Sequence, residues 1–255
     1  MSGWAASGSA NGIPTVSVLE LEDDILELAM RDEATGNAMS QPWVAAFLAA
    51  LDTITAHPTA KVVLLTGLRE TFCSGASRET LADLAAGRLR PDELTLGRRL
   101  MALPTPVVAA AEGHAIGGGL ALLVSADLAV IAQESRYGAN FMALGITPGM
   151  GMTRLLETVM GRPLAHELLY IGDLRRGATL AGAAPFNAVL PRAEVRDRAL
   201  HLARALAEKP RDSLIHLKRV LALPRLRAFD EAAALEAEMH AETLAHLDLD
   251  QWTPQ

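Results

Sequence analysis

Three consecutive glycines, Gly117-Gly118-Gly119, stand between an apolar strand-like run, Val107–Ala111, and an apolar helix-like run, Leu120–Val124. Few features restrict a fold more. Without Cβ atoms, this turn lets another main chain approach closely, and it sets bare N–H groups at the positive end of the following helix. A strand, a glycine turn and a helix in this order point to an α/β architecture with a backbone-lined ligand site.

The rest of the chain has the same rhythm. Val16–Leu21 and Ile25–Met30 read as strands around the acidic turn Glu22-Asp23-Asp24, and Lys61–Gly67 as a buried strand. Pro42–His57 reads as a helix capped by Ser40. The loop Phe72-Cys73-Ser74-Gly75-Ala76-Ser77 leads to a helix near Arg78–Ala86, and a further helix is expected over Asp92–Leu103. Val107–Ala111 is expected to feed the glycine triplet, with Leu128–Ala132 as the next strand. From about Gly151 the pattern becomes helical: Met152–Met160, Pro163–Gly172, Ala193–Ala207, Ser213–Leu223 and Phe229–Leu247. The expected organisation is a polar tail over 1–12, a core over 13–192 and a helical region over 193–255.

The chain has 255 residues, half of them hydrophobic, and a net charge of −7. That charge argues against general binding to nucleic acid or to an anionic membrane. No apolar run approaches the roughly 20 residues of a membrane-spanning helix. One cysteine, Cys73, allows no internal disulfide and fits a reducing, cytoplasmic compartment. The amino-terminal run lacks the basic start and apolar middle of a signal peptide and is expected to be disordered.

The glycine triplet, preceded by Leu103-Pro104-Thr105-Pro106-Val107 and followed by Gly145-Ile146-Thr147-Pro148-Gly149-Met150-Gly151, resembles the crotonase (enoyl-CoA hydratase/isomerase) superfamily. The resemblance covers about residues 14–247. It implies a spiral of ββα units with a carboxy-terminal helical region that builds a homotrimer or a dimer of trimers. It also implies two backbone N–H donors, of Ala76 and Gly118, that stabilise a thioester enolate. Gly117 and Phe141 are expected beside the substrate. Without the resemblance, the same glycines could serve only tight packing.

Hydratases of that family carry two glutamates where this chain has Ala121 and Phe141. Neither side chain can activate water or protonate carbon. Loss of CO₂ from an acid conjugated to the thioester needs no such base, because the electrons of the breaking C–C bond form the enolate. Glu112–Gly119, Asn140-Phe141-Met142, Thr147–Gly151 and the runs Leu190–Val195 and Ala207–Arg211 resemble the decarboxylating branch that serves polyketide β-branching. That branch acts on 3-methylglutaconyl thioesters carried on acyl carrier protein, and coenzyme A is the alternative carrier. Either the α or the γ carbon could receive the proton.

In the resembled branch a histidine on the last helix donates that proton, which here is His240; from spacing alone it sits at the edge of a Leu235–Met239 stripe. His114 is the rival, while His57, His166, His201, His216 and His246 are expected to be solvated. Arg88 is expected to orient the carboxylate, with Arg78 as the weaker choice. Arg88, Arg90, Arg98, Arg99 and Lys218 are expected to form a basic rim for the carrier protein. Cys73 is expected to be a packing residue. No metal and no cofactor are implied, since the phosphopantetheine arm belongs to the substrate. The alternatives are a hydratase or isomerase using Glu112 or Glu134, and a non-catalytic thioester-binding subunit.

Overall fold

The computed structural model describes residues 14–22, 24–90, 93–244 and 247; the expected tail over 1–12, the start of the helix placed at Asp92, and His246 lie outside them. Two sheets organise the chain. The larger has six strands: β1 (Val16–Glu20), β2 (Ile25–Met30), β3 (Val62–Thr66), β5 (Val107–Ala111), β7 (Leu128–Ala132) and β10 (Ala188–Leu190), neighbours in that order. The pair β1–β2 is antiparallel and the other pairings are parallel. β2, β3 and β5 are buried along their whole length, as parallel strands covered on both faces must be.

Alternation decides which layer each residue joins. Val63, Leu65, Val107, Ala109 and Ala111 point into the main core, with Trp43, Phe47 and Leu51 of α1 (Gln41–Ala56). Val62, Leu64, Val108 and Ala110 point to the other face. There Val195, Ala199, Ala203 and Ala207 of α8 (Arg192–Ala207) cover them at four-residue spacing. Ser40 caps α1, its hydroxyl accepting from Trp43 N–H at 3.4 Å, with Pro42 in the first turn.

The smaller sheet orders β4 (Thr71–Cys73), β6 (His114–Ile116), β8 (Arg136–Gly138) and β9 (Arg175–Arg176). β4, β6 and β8 are parallel. β6 feeds the glycine triplet directly, whereas the expected feeder β5 lies in the larger sheet one turn earlier. A three-residue strand carries too little periodicity to be read from sequence.

Helices α2 (Arg78–Ala85), α3 (Leu96–Met101), α4 (Gly118–Ser125), α5 (Met152–Met160), α6 (Arg162–Ile171) and α7 (Gly177–Leu180) fill the connections. The last two expected helices are one, α9 (Arg211–Thr243), with Pro224 inside it. Proline removes one hydrogen bond and normally ends a helix. Here side chains on both sides of it grip the same point: Lys218 Nζ and Arg225 Nη2 each reach Asp127 at 2.5 Å, and Arg225 Nη1 also donates to the Ala126 carbonyl at 2.6 Å. Tertiary anchoring thus overrides the local signal. Among the described residues no helix is long and apolar enough to cross a membrane.

Candidate active site

The three parallel strands of the smaller sheet end at one place. β4 runs into Ser74-Gly75-Ala76, β6 into Gly117-Gly118, and β8 into Asn140-Phe141; these residues line a single cavity with Gly149, Met150, His240 and Leu244. Ligand sites at the carboxyl ends of parallel strands are a general consequence of such topology.

Glycine is required where the two loops meet. Gly75 has φ of +87°, and a Cβ there would sit 2.7 Å from the Ile116 carbonyl oxygen and 3.3 Å from Gly118 N. A Cβ on Gly119 would lie 2.1 Å from the Cys73 carbonyl oxygen, so no side chain fits. Gly118 is the first residue of α4, and its N–H has no preceding turn to donate to. Ala76 forms a parallel bridge with Met39, in which Met39 N–H donates to the Gly75 carbonyl at 2.8 Å. The Ala76 N–H is therefore turned away from that contact. Both expected donors, with Gly117 and Phe141, border the cavity.

His240 comes to the same cavity from α9 and is only 5% exposed. Its Nε2 lies 3.0 Å from the Thr147 carbonyl oxygen. A carbonyl can only accept, so Nε2 carries the hydrogen; Nδ1 is buried without a hydrogen-bond partner. The buried face of this helix is Phe229, Ala232, Glu236 and His240, whereas Leu235 is exposed. The apolar stripe expected around Leu235 is thus displaced, because the inward positions carry polar groups that bind to α5 and its loop.

His240 is the one titratable side chain among the described residues lining the cavity; no Asp, Glu, Lys or Arg joins it. Burial pulls its pKa below the ordinary histidine value, opposed by the Thr147 and Pro148 carbonyls. The unfolded chain therefore binds this proton more readily. The stability gained from the neutral ring is full above about pH 6.5 and is lost as pH falls towards the lower folded value. A Tm that falls below that pH is expected, with a shallower fall in His240→Gln; equal slopes in thermal melts would contradict it.

Arg88 is not brought to the cavity. It is 63% exposed, pairs with Asp83 at 2.7 Å, and borders a neighbouring groove against α1. Arg78 is exposed as well. Nor do the other expected rim cations form a free basic surface. Arg90 pairs with Glu93 (3.1 Å), Arg98 with Asp230 (2.6 Å), Arg99 with Asp52, and Lys218 is buried against Asp127. In a chain with more acids than bases, each of these arginines finds a carboxylate within reach.

His114 lies in β6, its Nδ1 accepting from Arg136 N–H at 2.8 Å, a role in the sheet. His57 pairs with Glu20 and His166 with Glu157. Glu134 is exposed and accepts from Arg192 N–H at 3.0 Å, and Glu112 does not border the cavity. Cys73 is buried and donates to the Asn37 carbonyl, and burial pushes its thiol up to about 12. Two polar lining residues, Ser74 and Asn140, fall within the motifs quoted above without being singled out there. The available signal was positional: each closely follows a short parallel strand.

Comparison with known proteins places these features in context. The family model described as enoyl-CoA hydratase/isomerase matches residues 20–251. Bacillaene synthase decarboxylase PksI of Bacillus subtilis (strain 168) is 39% identical over 232 residues, covering 91% of this chain and 93% of that protein. A solved structure from work on a dehydratase/decarboxylase enzyme couple involved in polyketide β-branching superposes with a TM-score of 0.88. It is 39% identical, over 91% of this chain and 94% of its own. The ECH2 decarboxylase domain of CurF from Lyngbya majuscula has a TM-score of 0.85 at 34% identity, covering 92% and 96%.

Proposed function

Because this chain belongs to the enoyl-CoA hydratase/isomerase family, we propose that it is a decarboxylase of polyketide β-branching, acting on a 3-methylglutaconyl thioester carried on acyl carrier protein or coenzyme A. One observation carries this reading: among the described lining residues, the cavity joins two backbone N–H loops to a single titratable side chain, with no carboxylate beside it.

The thioester oxygen lies between the Ala76 and Gly118 N–H groups. The bond between the substrate's terminal carboxylate and its neighbouring carbon breaks, and CO₂ leaves. The electron pair passes through the double bond to the thioester oxygen, giving a dienolate that the two donors stabilise. His240 then delivers one proton to carbon, and a proton from solvent recharges the ring once the product has left. The product is a 3-methylcrotonyl-type thioester. Burial lowers the ring's proton affinity in the free chain. An approaching carboxylate raises its proton affinity, so the substrate itself charges the donor. Phe141, with Leu81, Leu84 and Ile146, gives the pocket an apolar wall.

Hydration would need an acid or base that Glu112 and Glu134, away from the cavity, do not supply. Mass spectrometry of the purified chain with 3-methylglutaconyl and crotonyl thioesters separates the readings. Loss of CO₂ from the first is expected; addition of water to the second would favour a hydratase, and binding without turnover a scaffolding subunit.

The same reading includes a homotrimer. Leu217, Val220 and Leu221 are 56–61% exposed at positions i, i+3 and i+4 of α9, an apolar stripe suited to burial against another subunit. Light scattering is expected to give three times the subunit mass, or six; a single-subunit mass contradicts it.

A further inference from the structure

Glu236 is 2% exposed on α9, and neither the oxyanion-hole chemistry nor the hydrophobic core accounts for it. Its carboxylate takes three donors from the start of α5: Gly151 N–H at 2.8 Å, Thr153 N–H at 2.9 Å and Thr153 Oγ1 at 2.8 Å. It therefore caps α5 from another helix, where a negative charge also meets the positive helix end. Burial pushes its pKa above the ordinary carboxylate value, and these donors oppose that shift in place of an arginine or lysine.

The capped turn continues back into Thr147–Met150, the loop that bounds the cavity. α9 holds this loop at three levels, one turn apart. Glu236 takes Gly151, His240 Nε2–H donates to the Thr147 carbonyl at 3.0 Å, and Thr147 Oγ1 meets Thr243 Oγ1 at 2.9 Å. Glycines bring the two chains together: a Cβ on Gly149 would lie 3.0 Å from His240 Cε1, and one on Gly151 would lie 2.3 Å from Phe229 Cδ2.

We propose that Glu236 is the positioning residue for His240: by capping α5 it fixes the Thr147 carbonyl, and that carbonyl holds the imidazole in one orientation with the hydrogen on Nε2. Nδ1 is then the nitrogen left to carry the transferable proton. This rests on His240 being the proton donor of the proposed reaction. Glu236 touches no substrate, and its effect passes through the loop.

The test uses the full chain labelled with ¹⁵N-histidine, in which long-range ¹H–¹⁵N spectra report the tautomer and His240→Gln assigns the signal. The wild-type chain is expected to show His240 as a single Nε2–H tautomer. Glu236→Gln replaces an acceptor oxygen with an N–H₂ group facing donors. It is expected to give mixed tautomers and to lower kcat by about 10- to 100-fold per folded site, because misplacement of roughly an ångström suffices for such losses. KM should change less than about 3-fold, since this carboxylate binds nothing on the substrate. Thr153→Val removes one of the three donors and should shift both readouts in the same direction by less. If Glu236→Gln does not fold, Thr153→Val decides alone. An unchanged tautomer, or a loss of activity matched wholly by loss of folded protein, overturns the inference. Should the wild-type chain fail to decarboxylate, the function falls, yet the tautomer still reports on Glu236.

Discussion

His240→Ala is expected to lower the decarboxylation rate constant by about 10²–10⁴-fold, the range associated with a positioned general acid. The reason is scarcity: no other titratable side chain among the described lining residues can protonate the dienolate. Water could replace the donor only by entering a pocket whose walls are largely apolar. Truncation also opens a hole beside Gly149 and frees the Thr147 carbonyl, so some loss of stability accompanies it. His240→Gln is the sharper variant, because its amide can still donate to that carbonyl while offering no transferable proton. Both should keep near-wild-type KM and circular dichroism, with product followed by mass. Near-normal turnover by either folded variant removes His240 from the mechanism.

Gly118→Pro is expected to cost about 10²–10³-fold in kcat, the usual effect of losing one oxyanion donor. Proline at the first position of a helix forfeits no internal hydrogen bond, so α4 should persist. The added Cβ would meet Met39 Sδ at 2.8 Å and Met150 Sδ at 2.9 Å, both on flexible side chains. Gly118→Ala makes the same contacts but keeps the N–H. The difference between the two variants reports loss of the donor together with the proline Cδ that takes the place of its hydrogen. Equal rates would mean that the thioester oxygen does not use this amide.

What could be read from the residues followed from how far each signal extends along the chain. The long apolar runs of β2, β3 and β5, the capped helix α1 and the glycine turns all carry their cause in neighbouring residues. The residues bordering the cavity at Ala76, Gly117, Gly118, Phe141 and His240 could be identified because motifs mark the turns that deliver them. Arg88 and the other expected rim arginines lie away from the cavity or against carboxylates, some local in the chain and others brought by packing. Asp52 and Asp230 come within reach of Arg99 and Arg98 only once the helices pack, whereas Asp83 lies five residues before Arg88. Pro224 misled because packing decides it: the clamp on Asp127 joins positions 91 and 98 residues apart. Glu236 gave no signal at all, since a glutamate on an alternating acidic helix looks solvated until α5 meets it.

The separation of the two sheets has a bearing on how such a chain can change. Packing strength resides mainly in the six-stranded layer and its helices, whereas the chemistry hangs from the tips of three strands of three residues each. Exchanging side chains at those tips alters reactivity without disturbing the heavier layer. Residues such as Phe141, which sit at those tips, can thus be exchanged while the heavier layer keeps the fold.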